Sequence, residues 1–195
     1  WHSEAGKNLT FSIVLNPTFL PIDQQFKLNR AVSLALNDVL ARYFGDSAKI
    51  KWPNDSYIGT HKIGGMLIEN SIQNNSLKHA VIGIGLNVNQ SQFSSVLKNV
   101  TSFVKILNQE HQLTSLLTEI CKAIEVRYLQ LKAGKYQQME VDYLNKLYKL
   151  NEWSLYRIDG QITSGKIKGV SADGHLEVEV DHQVKQYGLK EIEFI

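Results

Sequence analysis

Two lysines, an amide and a carboxylate are grouped within a short span of this chain. Lys51 opens the run Lys-Trp-Pro-Asn-Asp, and Lys62 follows eleven residues later, just before Gly64-Gly65. Lysine carries a compact positive charge, so two neighbouring lysines suit an anionic substrate. Glycine inside a strand usually marks a bulge or a place where a ligand approaches the backbone. The pattern predicts a site that binds an anion against a glycine floor.

Lys62 is the first candidate for a catalytic residue. From the start of its strand, the side chain can reach over the glycine floor and pair with a substrate carboxylate, then with a phosphate joined to it. A solvated strand end is the alternative for an isolated lysine. The glycine pair and Lys51 favour the functional interpretation.

A further group of candidate residues, Gly83-x-Gly85-x-Asn87, ends an apolar run. The glycines resemble a dinucleotide fingerprint only superficially, because they lie within a strand and open no helix. They would instead let a flat ligand lie against the sheet, while Asn87 presents both a donor and an acceptor. A strand that simply ends in asparagine is the alternative.

The elements that must position these motifs can be predicted from periodicity. Residues 9–15 alternate as a strand does, and a helix is predicted over about 23–44 with Gly45 as its stop. Three further strands are predicted over about 50–52, 62–69 and 79–88, with a Pro-Asn-Asp turn after the first and an Asn74-Asn75-Ser76 turn before the last. The last strand is too uniformly apolar to have a solvent-exposed face, which predicts a central strand in a sheet covered by helices.

The C-terminal part of the chain changes character. Two helices are predicted over about 115–133 and 136–149, separated by Gly134. Four short alternating segments follow, over 153–158, 161–170, 175–180 and 184–189. Asp159-Gly160 and Asp173-Gly174 separate the first three, and Asp-Gly is a strong hairpin signal. We therefore expect one domain over 1–150 and a small barrel over 151–195.

The composition is that of an ordinary globular protein, with 43% hydrophobic and 21% charged residues. A net charge of +2 gives no reason to expect nucleic-acid binding. The single cysteine, Cys121, excludes an internal disulfide, and the histidines form no metal-spaced cluster. No apolar run approaches the roughly 20 residues that cross a bilayer, so we expect no membrane contact and cytoplasmic residence.

The ordered set of three motifs resembles the catalytic core of biotin protein ligases. The resemblance implies an α+β fold: a mixed β-sheet catalytic domain covered by helices, as in class II aminoacyl-tRNA synthetases and biotin ligases, with a small C-terminal SH3-like β-barrel. It implies a biotin–[acetyl-CoA-carboxylase] ligase that makes biotinyl-5′-AMP from biotin and ATP with Mg²⁺. The biotin would then pass to one lysine of a biotin carboxyl carrier domain of a carboxylase.

The same resemblance assigns roles to residues. The predicted catalytic residues are Lys62, Lys51 and Asp55. Lys62 would contact the biotin carboxylate and the α-phosphate, while Lys51 and Asn54 would serve the phosphates and the metal. Asp55 offers a further oxygen, or it orients Lys62, or it accepts a proton from the attacking amine. The other substrate-binding candidates are Trp1 at the biotin pocket, Gly64, Gly65, Leu67, Gly83 and Gly85 along the biotin slot, and Asn87 at the nucleotide.

The resemblance also has a gap. Trp1 looks like the residue after the family's arginine-rich loop, so we expect that the sequence begins inside a larger protein and holds half a biotin site. We expect a polypeptide of only these residues to adenylate nothing. An N-terminal DNA-binding segment and a homodimer stay open.

Two other functions are alternatives. A lipoate-protein ligase shares the fold and the adenylation logic by family resemblance, but its pocket must take a dithiolane tail, which the motifs fit less well. A non-catalytic, ligase-like binding module is the second alternative, and the intact lysines argue against it.

Overall fold

The structure of the chain, a computed structural model, describes residues 3–73 and 76–195. Trp1 and the predicted Asn74-Asn75 turn lie outside these residues. The first half contains β1 (Leu9–Leu15), α1 (Phe26–Phe44), β2 (Ala48–Lys51), β3 (Asp55–Ile58), β4 (His61–Gln73) and β5 (Ser76–Leu86). The second half contains α2 (Phe103–Leu107), α3 (Leu113–Lys132), α4 (Tyr136–Lys146), β6 (Trp153–Ile158), β7 (Gln161–Val170), β8 (Leu176–Val180), β9 (Gln183–Tyr187) and β10 (Ile192–Phe194).

The first sheet has the strand order β1-β5-β4-β3-β2. Every pairing between these described strands is antiparallel, so the predicted mixed sheet is wrong. The physical reason lies in the connections, because β2, β3 and β4 follow one another through turns too short for a parallel crossover. Asp55, predicted within a turn, opens the short strand β3 instead.

Helix α1 is the central helix of the fold. Twelve of its nineteen residues are buried, because it packs against the sheet on one side and against α3 and α4 on another. A helix with so few polar faces must be enclosed. Its start differs slightly from the prediction, since Ile22–Gln24 form a 3-10 turn. Gly45 ends it as predicted, with φ 60°.

The helices cover one face of the first sheet and leave the other open. On β5, Ala80, Ile82 and Ile84 are buried, whereas the alternate residues Val81 and Gly83 are only half-buried. Leu67 on the neighbouring strand is 61% exposed. The prediction that neither face of β5 is exposed to solvent is therefore wrong, because the described helices cover only one side of the antiparallel sheet.

The second sheet has the order β10-β6-β7-β8-β9, with one strand more than predicted. At Asp159-Gly160 both residues have positive φ, as the predicted hairpin turn requires. The edge strands β9 and β10 do not pair with each other among the described residues, so a closed barrel is not confirmed. One apolar core runs through both sheets, and the boundary after residue 150 stays a prediction.

Three short elements, α2, β3 and β10, were missed because three to five residues carry too little periodicity to predict. None of the described helices is long and apolar enough to span a membrane.

Candidate functional site

Three glycines open a trough on the uncovered face of the first sheet. Strand pairing aligns one row across four strands, consisting of Thr10, Gly85, Gly65 and Asp55. The next row consists of Ser12, Gly83 and Leu67. Because the glycines have no side chains, the middle of both rows is a depression. It forms a cavity of about 630 Å³, a size that suits a small-molecule ligand.

An ion pair lies at the β3–β4 side of this trough. Lys62 Nζ is 2.6 Å from Asp55 Oδ1, and both side chains are mostly buried, with 33% and 24% of their surface exposed. Gly65 makes room for the pair, since a Cβ there would lie 2.9 Å from Asp55 Oδ1 and 3.5 Å from Lys62 Nζ. An ammonium has three N–H donors, so two remain for an anion in the trough.

A shift of strand register brings Lys62 onto the trough face. Residues in a regular strand alternate between faces, so Lys62 and Gly65, three apart, should point to opposite sides. The pairing of β3 with β4 shifts between Ser56 and Tyr57, and Ile63 is passed over on β4. One extra residue reverses the alternation at this point. The lysine therefore faces the same cavity as the glycine.

Asn54 also lines the cavity and is fixed by the strand beside it. Its Nδ2 donates to the Met66 carbonyl at 2.6 Å, and the Met66 N–H donates back to the Asn54 carbonyl at 3.0 Å. The side-chain bond uses one of the two amide N–H groups, and the amide oxygen can accept a bond from, or coordinate, a ligand. The turn from Lys51 to Asp55 is thus attached to β4 by two hydrogen bonds between Asn54 and Met66.

Lys51 does not line the cavity, and its contact with a substrate phosphate stays a prediction. Its ammonium donates to Tyr57 Oη at 3.1 Å and lies 4.6 Å from the centre of the Phe194 ring. Burial lowers the pKa of Lys51, the Asp55 carboxylate opposes this shift, and the charge of Lys62 adds to it. Lys51 is therefore coupled to the ion pair through its charge, without sharing the cavity.

Two predicted substrate contacts, Gly64 and Asn87, make close contacts within the protein. A Cβ on Gly64 would lie 2.8 Å from the Gly85 carbonyl, so this glycine permits strand packing and does not face the trough. Asn87 is 3% exposed, and its Nδ2 donates to the Thr101 carbonyl at 3.0 Å. It ties the end of β5 to the segment before α2, and its contact with the nucleotide stays a prediction.

The residues that reasoning from sequence missed are the hydroxyls of β1. Thr10 and Ser12 are exposed and line the cavity opposite the ion pair. The alternation of residues 9–15 was the available signal, because it already put these two polar side chains on one face. The trough thus has hydroxyls on one wall, glycines on its floor, and Lys62 with Asp55 on the other wall.

The sequence is similar to known ligases over its whole length. The family described as "Biotin/lipoate A/B protein ligase family" matches residues 1–87. The bifunctional ligase/repressor BirA of Bacillus subtilis (strain 168) is 25% identical over 196 residues, which cover 99% of this chain and 60% of that protein. Biotin–protein ligase 2 of Arabidopsis thaliana is 35% identical over 92 residues, covering 44% of this chain and 28% of that protein. The chain thus spans about three-fifths of the length of its Bacillus relative.

Solved structures share the fold. A biotin protein ligase from Aquifex aeolicus, in complex with biotin and ATP, superposes with a TM-score of 0.78 at 23% identity, over 97% of this chain and 78% of that one. A biotin protein ligase-like protein of unknown function from Silicibacter has the same TM-score at 13% identity, over 94% and 80% of the two chains. Since a protein of unknown function shares the fold equally well, function must be argued from the site.

Proposed function

We propose that this chain belongs to the biotin/lipoate A/B protein ligase family, and that it activates biotin with ATP as biotinyl-5′-AMP and transfers the biotin to a lysine of a biotin carboxyl carrier domain. The observation that carries the proposal is the Lys62–Asp55 pair over Gly65, beside a glycine-floored trough. Two sequence relatives are named biotin–protein ligase 2 and biotin–[acetyl-CoA-carboxylase] ligase, which favours biotin over lipoate.

In the first step, a biotin carboxylate oxygen would attack the α-phosphorus of ATP, and pyrophosphate would leave. Two anions must approach each other, so the step needs positive charge fixed in advance. Lys62 provides it, with two N–H donors beyond the one that Asp55 uses. Lys51 adds a second positive charge nearby, although its ammonium lies between aromatic rings and outside the trough.

In the second step, the amine of the carrier lysine would attack the biotinyl carbonyl carbon, and AMP would leave. The amine must lose a proton for the amide to form. Asp55 is the carboxylate that lines the trough, so we assign it the proton-accepting role. Its contact with Lys62 keeps this carboxylate in place between the two steps.

Magnesium would accompany ATP at Asn54. The described residues contain no group of three or more His, Cys, Asp or Glu side chains placed to hold a metal. This fits Mg²⁺, which is commonly held by one or two protein oxygens together with substrate phosphates. The Asn54 amide oxygen is the group that the Met66 contact leaves for it. Bound there, the ion would neutralise phosphate charge.

The remaining assignments concern the second sheet and the partner. We assign residues 151–195 to an SH3-like domain, because all five strands of the second sheet come from this segment. The carrier domain of a carboxylase is the proposed acceptor, in line with the relative from Paracoccus denitrificans, which is named biotin–[acetyl-CoA-carboxylase] ligase.

Biotin-dependent exchange of pyrophosphate into ATP tests the proposal. The full-length protein should catalyse exchange with biotin and not with lipoate. Lys62→Ala should slow it by about 10² or more, whereas Lys78→Ala, which removes an exposed lysine of β5 outside the trough, should not. Exchange with lipoate alone would point to a lipoate ligase. No exchange with either acid, from a folded protein, would favour a binding module.

A further inference from the structure

The turn from Lys51 to Asp55 is held from two sides. On one side, Asn54 and Asp55 contact β4 through Met66 and Lys62. On the other side, Trp52 contacts the loop between β7 and β8, and Lys51 contacts Phe194 of β10, although more than a hundred residues separate these partners in the chain. The position of the turn therefore depends on both sheets.

Trp52 makes the first contact, with the loop that joins β7 and β8 of the second sheet. It is 5% exposed, and its Nε1 donates to the Gly174 carbonyl at 2.8 Å. Gly174 has φ 100°, which favours glycine, and a Cβ there would lie 2.5 Å from the Phe26 ring. The loop that accepts the tryptophan bond is thus pressed against α1.

Hydrogen bonds fix that loop in turn. Arg30 of α1, which is 5% exposed, donates to the Val170 and Ser171 carbonyls at 2.7 and 3.1 Å. Within the loop, the Ser171 N–H donates to the His175 carbonyl at 2.9 Å. The acceptor of the Trp52 bond therefore belongs to a segment that is hydrogen-bonded to α1 and within itself.

Phe194 makes the second contact. Its ring lies 4.6 Å from Lys51 Nζ and packs edge-on against Tyr156, 5.3 Å between ring centres. Tyr156 is fully buried, so the Phe194 ring has a firm support in the second sheet. A partly buried ammonium against an aromatic face gains a cation–π interaction.

From these contacts we infer that Trp52 and Phe194 are positioning residues for adenylate formation: they anchor the turn to the second sheet, so that Asn54 and Asp55 keep their places beside Lys62. The inference rests on the proposed function for its kinetic consequence. It gives the second sheet a role in the first half-reaction.

Two substitutions remove one contact each and keep most of the packing. Trp52→Phe deletes the Nε1–H donor, and Phe194→Leu deletes the aromatic face. Trp153→Phe is the matched control, because Trp153 is 55% exposed on β6 and distant in sequence from the turn. We expect Trp52→Phe to lower kcat for biotin-dependent pyrophosphate exchange about tenfold, with KM for biotin within about twofold, because a small misplacement of a catalytic group slows chemistry more than binding. Phe194→Leu should show the same split with a smaller loss, and Trp153→Phe no change.

Amide hydrogen exchange provides a readout that does not depend on activity. The Met66 N–H is protected by the Asn54 carbonyl, so it reports whether the turn is held. The Asn87 N–H, which donates to the Ile63 carbonyl at 2.8 Å, serves as the reference within the same sheet. In Trp52→Phe, Met66 should exchange about fivefold faster while Asn87 is unchanged, as expected for a lost hydrogen bond of about 1 kcal/mol.

The outcomes separate the two proposals. Unchanged Met66 protection, or equal acceleration at Met66 and Asn87, overturns the positioning role, and so does a kcat within about twofold of wild type. If the wild-type protein shows no biotin-dependent exchange, the proposed function fails. The positioning inference is then decided by the amide measurement alone.

Discussion

Gly83→Ala tests the trough most directly, because the structure separates its effect on the ligand from its effect on the fold. A Cβ at this position would have Leu67 O and Ser12 Oγ as its nearest neighbours, both at 3.9 Å. That is ordinary van der Waals contact, so the methyl group would enter the cavity without displacing protein atoms. Its φ is not in the left-handed region, so alanine fits the backbone.

The magnitudes follow from these distances. With no clash, the variant should fold as the wild type does and gain about 0.4–1 kcal/mol, because alanine restricts the unfolded chain. A ligand ring that rests on the Gly83 backbone would meet the methyl group and have to shift. Overpacking of this kind costs about 1–3 kcal/mol, which weakens binding about 5- to 150-fold.

Calorimetry with biotin and with ATP, together with thermal unfolding, measures all three quantities. We expect weaker biotin binding, unchanged ATP affinity and an unchanged or raised Tm. Gly169→Ala is the control, since its Cβ would meet only the flexible end of Glu177 in the second sheet. Biotin affinity equal to wild type in a folded Gly83→Ala protein would refute the idea that the ligand lies on this glycine.

Three further predictions concern charged and polar groups of the core and the site. Lys62→Ala should slow adenylation by about 10² or more, because a preorganised charge is lost, and a rate within about threefold of wild type would exclude the assignment. Lys51→Met should slow adenylation without lowering stability. Burial lowers the Lys51 pKa, so between the folded and unfolded pKa values the unfolded state binds more protons than the folded state. The free energy of unfolding of the wild type therefore rises with pH in that range, and that of the variant does not. Denaturant titrations at neutral and alkaline pH check this. Tyr143→Phe should stabilise the fold by about 1 kcal/mol, because the buried hydroxyl has no hydrogen-bond partner among the described residues. Burial also raises the Tyr143 pKa, so wild type should lose stability as pH rises above its unfolded value of 10.0, and the variant should lose less; a destabilised variant would reveal an unseen partner.

The part of the site that follows strand period was accessible from sequence. Gly83 and Gly85 are two apart, as are Gly65 and Leu67, so a period of two puts each pair on one face. Pairing of β4 with β5 then brings both pairs into one trough. The presence of Lys62 on that face was proposed from its neighbours. Its actual cause is the register shift beside Ile63, which no local pattern predicts.

The contacts of Asn87, Lys51 and Trp52 show which features of the structure the sequence could not predict. A strand that ends in asparagine has the same local sequence whether the amide meets a nucleotide or, as Asn87 does, the Thr101 carbonyl. Lys51 is polar and lies next to a turn, yet its ammonium lies against an aromatic ring contributed by residue 194. Such contacts depend on how distant elements pack, and their residue types alone do not reveal them. The hydrogen bond of Trp52 spans 122 residues and belongs to the same class.

The glycine pair of β4 shows how one short motif can meet a requirement of the fold and a requirement of the chemistry. Neighbouring residues of a strand point to opposite faces, so Gly64 and Gly65 cannot both face the trough. Gly64 lets the Gly85 carbonyl approach to a distance that a Cβ would block, which is a requirement of the fold. Gly65 leaves the space in which Asp55 and Lys62 meet, which is a requirement of the chemistry. A Gly-Gly pair beside a lysine is therefore informative because either alanine would disturb this region, one through the sheet and the other through the ion pair.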